Sequence, residues 1–465
     1  MGVLSSINKL DPREAVESVS WLVLSQIFET PYGAVANQSG AVPLLFHPLR
    51  AEDGSGSLFS ASVRSGVLFS EGTPLTPELA ARSLRGSSVL AHQVTIDVRG
   101  DRIWFKLKTP NPRFELTLTH SGCSIVLDKG MQVHGTGPYM FDGRPNLRML
   151  QTAPKIRLVR NPHSRVEAMV DGVEFVVLPA EVDGAPRRLV EALREGNIEL
   201  TTSLTVGDIA AHQLTGVAPV MLPGNSTAML YFNTEKRLLS TSDARRGIAH
   251  SLDVHEISMR CNDRNPAAFV ASNVLPPSMG RMPANASVGR SEAQQLIETS
   301  GLRGTRHTLL VPWAPRTYLL KPLPVAQTIQ SQLAKAGITV TLMETRSSDE
   351  FFDALHGGRF DMALAGWIAD TPDPADFYEA LLWSKYLGDN HANNSRWNHP
   401  PTDEALVRFR TEPSDRNRAE IQRILSYEMP FSPLVYGHAT VLHSRKVRNV
   451  SISPVGGLPL ASLTI

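Results

Sequence analysis

Three aspartates stand at three-residue spacing in GWIADTPDPADF (366–377), behind the apolar run FDMALAGW (360–367). A metal site, a catalytic carboxylate pair, a helix cap and a cation pocket can all start from such a string. Asp373 precedes Pro374, the pairing of an N-cap with proline at the first helical position. Asp376 then falls on the third helical position, where a carboxylate favours the helix dipole and reaches back to the cap. Asp370 lies three residues before that cap and serves no backbone need beyond a turn in ADTP. Beside Trp367, its carboxylate suits an ammonium group, with the indole as an apolar or cation–π wall.

The other chemistries fit less well. An EF-hand loop places ligands at alternate positions, bends at Gly and ends in Glu, and none of that is arranged here. A catalytic dyad needs two carboxylates facing one reacting atom, and no nucleophile accompanies these. The chain has no G-x-S-x-G, H-E-x-x-H or Walker loop. HGTGPY (134–139) lacks the lysine of a phosphate cradle and reads as a tight turn. No catalytic residue is assigned, and no metal or cofactor is expected.

The acidic loop closes the most regular stretch of the chain, 305–385. RHTLLVPW, ITVTLMET and RFDMALAGWI read as strands. LPVAQTIQSQLAKAG, SSDEFFDALHGG and DPADFYEALLW read as helices, the first stopped at Gly337. Such alternation implies parallel strands joined by right-handed crossovers. Ligands of these sheets bind beyond the carboxyl ends of the strands, where the acidic loop sits. RNRAEIQRILSYEMPFSPLVY then predicts a long helix and a short strand, and the tail VRNVSISPVGGLPLASLTI a returning β segment.

Upstream, LFSASV alternates to give one buried face, and TPELAARSL opens a helix on a Thr-Pro cap. VTIDVRGDRIWFKLKT turns at Gly100, so 34–136 reads as a mostly antiparallel subdomain. PRRLVEALREGN predicts a helix and AMLYFN a strand. In STSDARRGIAHSLDVHEISMRC, Asp253 caps the second of two helices and Glu256 completes a capping box. His250 and His255, flanking that cap, read as surface residues and not metal ligands.

Length and composition bound the rest. A chain of 465 residues, 42% hydrophobic, predicts a large core and roughly two to four domains. Lys plus Arg (46) nearly balances Asp plus Glu (45), which removes the electrostatic footprint of a nucleic-acid binder. Cys123 and Cys261 are far apart without nearby metal-spaced partners, and read as two free, buried thiols. No stretch approaches the roughly 18 apolar residues of a membrane span. The N-terminus lacks a basic and then apolar leader, so either a signal peptide has been removed or Met1 is a cytoplasmic start. MGVLSS satisfies a myristoylation pattern at Gly2 and Ser6, a match short enough to arise by chance.

Six ordered motifs carry a family resemblance running nearly end to end. LDP (10–12) with QIFET (26–30), ASVRSGVLFSEGTPLT (61–76), GTGPY (135–139), LYFNTEK with DARRGIAHSLD (230–253), GWIADTPDPADF, and NNSRWNHPPTDEAL (393–406) resemble the family 5 bacterial extracellular solute-binding proteins. These are the oligopeptide-, dipeptide- and nickel-binding components of ABC importers. The resemblance implies a two-lobed α/β periplasmic-binding-protein-like clamp (type II, cluster C) with an extra antiparallel β-rich subdomain. Lobe I would comprise 1–33, the β-rich subdomain 34–136, 137–233 and the return 434–465. Lobe II would be the α/β domain 234–433.

It further implies a non-enzymatic, monomeric protein that encloses a peptide or peptide-like amine and hands it to an ABC permease. The compartment would be periplasmic or extracytoplasmic if a signal peptide was removed. A cytoplasmic sensor, or a carrier or enzyme recruited from the same fold, is the alternative. By resemblance, Asp370 pairs with the ligand ammonium while Trp367, with Gly366 and Ile368, lines the site. Glu29 faces them, and Tyr436 and His438 are further candidates. Some oligopeptide binders carry an arginine for the ligand carboxylate where this chain has Leu364. Arg396 and Arg346 are the candidate substitutes.

Overall fold

The computed structural model describes the chain except residues 16–17, 36–39, 131, 145, 182–185, 262–268, 280–287, 388–391 and 454–456. Part of the returning tail therefore lies outside the described residues. Two compact units form: Met1–Leu222 with Asp370–Pro372 and Ala439–Ile465, and Pro223–Ala369 with Asp373–His438. The chain passes from one to the other within two long strands, Val217–Phe232 and Phe431–Ser444.

The first unit holds the expected antiparallel sheet, ordered Arg50–Ala51, Leu58–Ser62, Arg102–Leu107, Val94–Arg99, with Gly100 at φ +61° in its hairpin. The alternation expected of LFSASV is not followed: Phe59, Ser60 and Ala61 are all buried. Ser60 tolerates burial because its hydroxyl donates to Glu52 and accepts from Arg102 Nε, which satisfies a polar atom that would otherwise be orphaned. A second sheet in this unit runs Tyr139–Phe141, Lys155–Arg160, Gly172–Val177, Gly2–Val3, Leu200–Thr201, and the end of Phe431–Ser444. Gly2 of the myristoylation pattern is thus a strand residue, paired with Val176 and Thr201.

In the second unit the sheet order is β1 (Val217–Phe232), β4 (Met362–Ile368), β2 (Arg306–Val311), β3 (Thr339–Glu344). β2, β3 and β4 are parallel, as the sequence pattern requires, and β1 is antiparallel to β4. Helices α1 (Pro322–Lys335), α2 (Ser348–His356) and α3 (Pro374–Leu382) alternate with the strands. Side chains along β4 alternate between two cores. Ala363 and Ala365 meet Phe351 of α2 and Phe377 of α3, whereas Met362 and Leu364 meet Val325 and Ile329 of α1. Leu364 is therefore a core residue between sheet and α1.

The motif DARRGIAHSLD owes its buried arginine to a helix end. Arg245 is fully buried and donates to the carbonyls of Leu239, Ser240, Glu428 and Met429. It thereby satisfies the last carbonyls of α5 (Asp415–Glu428), where the helix dipole favours a cation. Burial lowers its pKa to about 10, and Glu428 opposes that shift. Asp253 accepts the amide of Glu256 as expected, but the Glu256 carboxylate accepts from Gln332 of α1 and does not close a capping box. A tertiary amide donor displaces the local one.

One buried imidazole gives this fold a pH dependence. His307, at the start of β2, is 4% exposed, with Nε2 2.9 Å from Thr305 Oγ1. Burial lowers its pKa below the ordinary value of about 6.5, and Asp361 pulls it partly back. The folded pKa lies below the unfolded one, so its contribution is full above about pH 6.5 and is lost as pH falls through the folded value. His307→Gln, which keeps a polar partner for Thr305, should show a smaller fall in melting temperature between pH 7.5 and 5.5 than the parent. Equal falls in the two proteins would remove His307 from the pH response.

Candidate functional site

The sheet of the second unit has one topological switch. β2 and β4 are neighbours, yet the chain leaves β2 toward α1 on one face and β4 toward α3 on the other. In open α/β sheets ligands bind at such a point, beyond the carboxyl ends of the two strands. β4 delivers Gly366, Trp367 and Ile368 to that end. Trp367 is half-buried against the α2–α3 core, and Ile368 is 41% exposed. Asp370 follows two residues later, exposed, in a bend.

The loop after β2 lies across the same edge, and two glycines let it do so. A Cβ on Gly366 would stand 2.5 Å from Tyr318 Cδ2, and one on Gly437 would stand 3.2 Å from the Thr317 carbonyl oxygen. Arg316 and Leu319 exchange both backbone hydrogen bonds at 2.9 Å, which closes the loop into a tight turn. The Arg316 guanidinium then reaches α2. It stacks 5.4 Å from the Phe352 ring centroid and 5.7 Å from that of Phe351, and Nη2 lies 3.4 Å from Ser348 Oγ. Its Nε is buried with no acceptor among the described residues.

Tyr436 and His438 flank Gly437, so they stand near this turn. The Tyr436 hydroxyl accepts the Asn273 amide at 3.1 Å, which commits it to the 269–274 segment. His438 is half-buried beside Phe269, 6.2 Å between centroids, and burial lowers its pKa. Arg396 is a correction. Its Nε donates to Glu235 Oε2 at 2.5 Å and its Nη1 to the His356 carbonyl at 3.1 Å, while Gly358 lies against its side chain. These partners adjoin Asp361, at the amino end of β4, and seven residues of strand, roughly 20 Å, separate that end from Trp367 and Ile368. The structure does not bring Arg396 to the acidic loop. Arg346, at the carboxyl end of β3, is exposed.

Two of the three aspartates of the opening string, joined by Glu379, surround one buried guanidinium. Arg410, on α4 (Pro400–Thr411), meets Asp373 at 3.1 Å, Asp376 at 2.5 Å and Glu379 at 2.9 Å. Asp373 also caps α3 as expected, accepting the Ala375 amide at 2.9 Å. Asp376 also pairs with Arg410, a partner that local pattern does not reveal. Burial alone would lower the Arg410 pKa, but the three carboxylates outweigh it and the net shift is upward.

In the first unit, Glu29 is held by its own neighbours. Thr136 Oγ1 donates to Oε2 at 2.7 Å and Arg165 donates to Oε1 at 3.2 Å. Burial raises the Glu29 pKa, and these two partners pull it back. GTGPY is less a turn than a close approach. A Cβ on Gly135 would lie 2.0 Å from the Ile27 carbonyl oxygen, and the Gly137 amide donates to that same oxygen at 2.8 Å. QIFET and GTGPY are thus two sides of one backbone contact. Arg316 and Arg410 were missed from sequence. For Arg316 a signal existed: the carboxyl-end rule applies to β2 as much as to β4.

Residues 56–388 match the family model for bacterial extracellular solute-binding proteins, family 5, middle region. The chain belongs to that family. This solute-binding protein is 24% identical over 250 residues to the peptide transport periplasmic protein SapA of Salmonella typhimurium, covering 52% of this chain and 45% of that one. The chain spans about half the length of the curated relatives it matches. Its fold is that of HbpA2 from Haemophilus parasuis, with TM-score 0.82, 19% identity, and coverage of 100% and 99% of the two chains. DppA from Helicobacter pylori, solved in complex with peptide STSA, superposes with TM-score 0.76 at 20% identity, covering 100% and 97%. The two-lobed α/β solute-binding fold is therefore common to all three. Among the described residues no helix is long and apolar enough to cross a membrane, and no three His, Cys, Asp or Glu cluster as metal ligands do.

Proposed function

We propose that this solute-binding protein takes a short peptide at the carboxyl edge of β2 and β4 and passes it to an ABC permease. Asp370 holds the α-ammonium, the Trp367 indole lines the site, and Arg316 holds the ligand carboxylate. Gly366 and Ile368 supply backbone and apolar contact beside them. His438 is a further lining residue, and the Tyr436 ring contributes packing while its hydroxyl serves Asn273.

The observation that carries this reading is the Arg316 Nε, a buried donor without an acceptor among the described residues, at a topological switch point. A buried donor left unmade is costly, and a carboxylate answers it with a charge-assisted bond. Support also comes from the relative named for peptide transport and the fold neighbour solved with a peptide.

Native mass spectrometry of the purified chain, followed by calorimetric titration with a di- to tetrapeptide library, tests the reading. Co-purified peptide, or saturable binding of unmodified peptides, is expected. A ligand-free protein that takes up no peptide would sink it.

A further inference from the structure

RIWFKLK (102–108), in the antiparallel sheet of the first unit, alternates between two environments. Ile103, Phe105 and Leu107 are buried in the core beneath the sheet. Arg102, Trp104, Lys106 and Lys108 therefore stand on the opposite face, by the two-residue period of a strand. The Lys108 amide donates to the Gln93 carbonyl at 2.9 Å, so the ladder with Val94–Arg99 extends as far as this residue. Printed contacts agree with that placement. The Arg99 guanidinium lies 4.9 Å from the Trp104 ring centroid, and Arg102 Nε donates to Ser60 Oγ at 2.9 Å. The Ser60 hydroxyl donates to Glu52, which Arg50 approaches at 3.6 Å. Trp104 is half-buried, whereas Arg50, Arg99, Lys106 and Lys108 are exposed.

Charge on this face is out of proportion to the chain. Arg50, Arg99, Arg102, Lys106 and Lys108 share it with Glu52 and Asp97, while the whole chain balances 46 cations against 45 acids. From Arg102 to Lys108 the cations run roughly 20 Å along one strand. Such a row suits a linear partner with repeated negative charge, and one small anion would leave most of it unused. Asp97 stands directly opposite Trp104 in register and decides which partner that is. A phosphodiester lying there would be repelled by its carboxylate. A sugar ring instead offers hydroxyl donors to Asp97, and a carboxylate on the ring answers Arg99 and Lys106. Stacking on Trp104 holds the Arg99 guanidinium flat, which lowers the cost of ordering it on a ligand.

We infer that this sheet face binds an acidic polysaccharide, a linear glycan of the uronic-acid type. The inference goes beyond the peptide reading and does not depend on it. Calorimetric titration of the full chain with oligogalacturonate should give saturable binding that weakens with added salt, and uncharged maltodextrin should not bind. Lys106→Glu together with Lys108→Glu should weaken binding about tenfold or more, because two exposed ion pairs are lost and replaced by repulsion. Asp97→Ala separates recognition from bulk charge. Loss of the hydroxyl acceptor should weaken oligogalacturonate binding severalfold, whereas a merely electrostatic patch would bind tighter once the acid is gone. All three positions are exposed, and an unchanged melting temperature checks that each variant is folded. Absence of oligogalacturonate binding, or binding indifferent to the lysine reversals, overturns the inference. Tighter binding by Asp97→Ala, or equal affinity of the parent for oligothymidylate, overturns the glycan assignment.

Discussion

Replacing Arg410 with methionine should lower the stability of the second unit by about 3–5 kcal/mol, the usual cost of removing one partner from a buried ionic cluster. Among the described residues Arg410 pairs directly with Asp373, Asp376 and Glu379, whose side chains are 0%, 32% and 12% exposed. Water can screen Asp376 but reaches little of the other two. Methionine fills similar volume, so the loss is electrostatic and not a cavity. Burial already raises the Glu379 pKa against the pull of Arg410, and without the cation it rises further. Groups shifted in that direction are stable when protonated and lose stability as pH rises through the folded value. The deficit should therefore be largest near neutrality and shrink toward about pH 4–5, where carboxyl groups begin to protonate. Arg410→Lys should fall between, because a point ammonium cannot serve three carboxylates as a planar fork does. Urea unfolding followed by tryptophan emission is suited to the measurement, since Trp313, Trp367, Trp383 and Trp397 all lie in the second unit. A methionine variant as stable as the parent at every pH would show that the cluster is neutral in its contribution to the fold.

That cluster marks where sequence reading stops. The β–α alternation of 305–385, the Thr76 and Asp373 caps and the Gly100 hairpin depend on neighbours within four residues, and each was legible. Asp373 and Asp376 also carried a local explanation, which was half of the truth. Their cation lies 37 and 34 residues away, on a helix whose sequence gives no hint of its facing partner. Glu256 shows the same limit, since a capping box competes with a tertiary amide that local pattern cannot see. Arg396 failed for a different reason. Its motif neighbours suggested a site residue, but a seven-residue strand places it at the opposite end of the sheet from the loop it was meant to serve. The family motifs, in turn, proved to be mostly structural. Arg13 of the LDP segment forks onto Asp11 and donates to the Ser83 carbonyl, and Arg245 closes the end of α5. Motifs of this kind identify the fold securely while saying little about the ligand.

The ligand assignment itself should be tested by changing both partners. Arg316→Ala is expected to weaken binding of a free dipeptide by about 2–5 kcal/mol, the range for truncating one side of a buried charge pair. Asp370→Ala should cost about 1.5–3 kcal/mol, less because the carboxylate is exposed and water competes for the ammonium. Melting temperature is measured for both, because Arg316 also stacks on Phe351 and Phe352 and its removal loosens that contact. Loss of affinity alone does not prove contact, so each variant is paired with a modified ligand. A C-terminally amidated dipeptide should bind the parent as weakly as the free acid binds Arg316→Ala, and that variant should no longer distinguish acid from amide. N-acetylation should behave in the same way toward Asp370→Ala. Such cycles cancel whatever each change does on its own and leave the interaction between the two groups. Coupling of Arg316 to the amino end, with Asp370 coupled to the carboxylate, is electrostatically excluded, so only two results remain. Either each residue couples to its own terminus, or amide and acid lose equally on Arg316→Ala and the guanidinium orders the loop after β2 without touching the ligand.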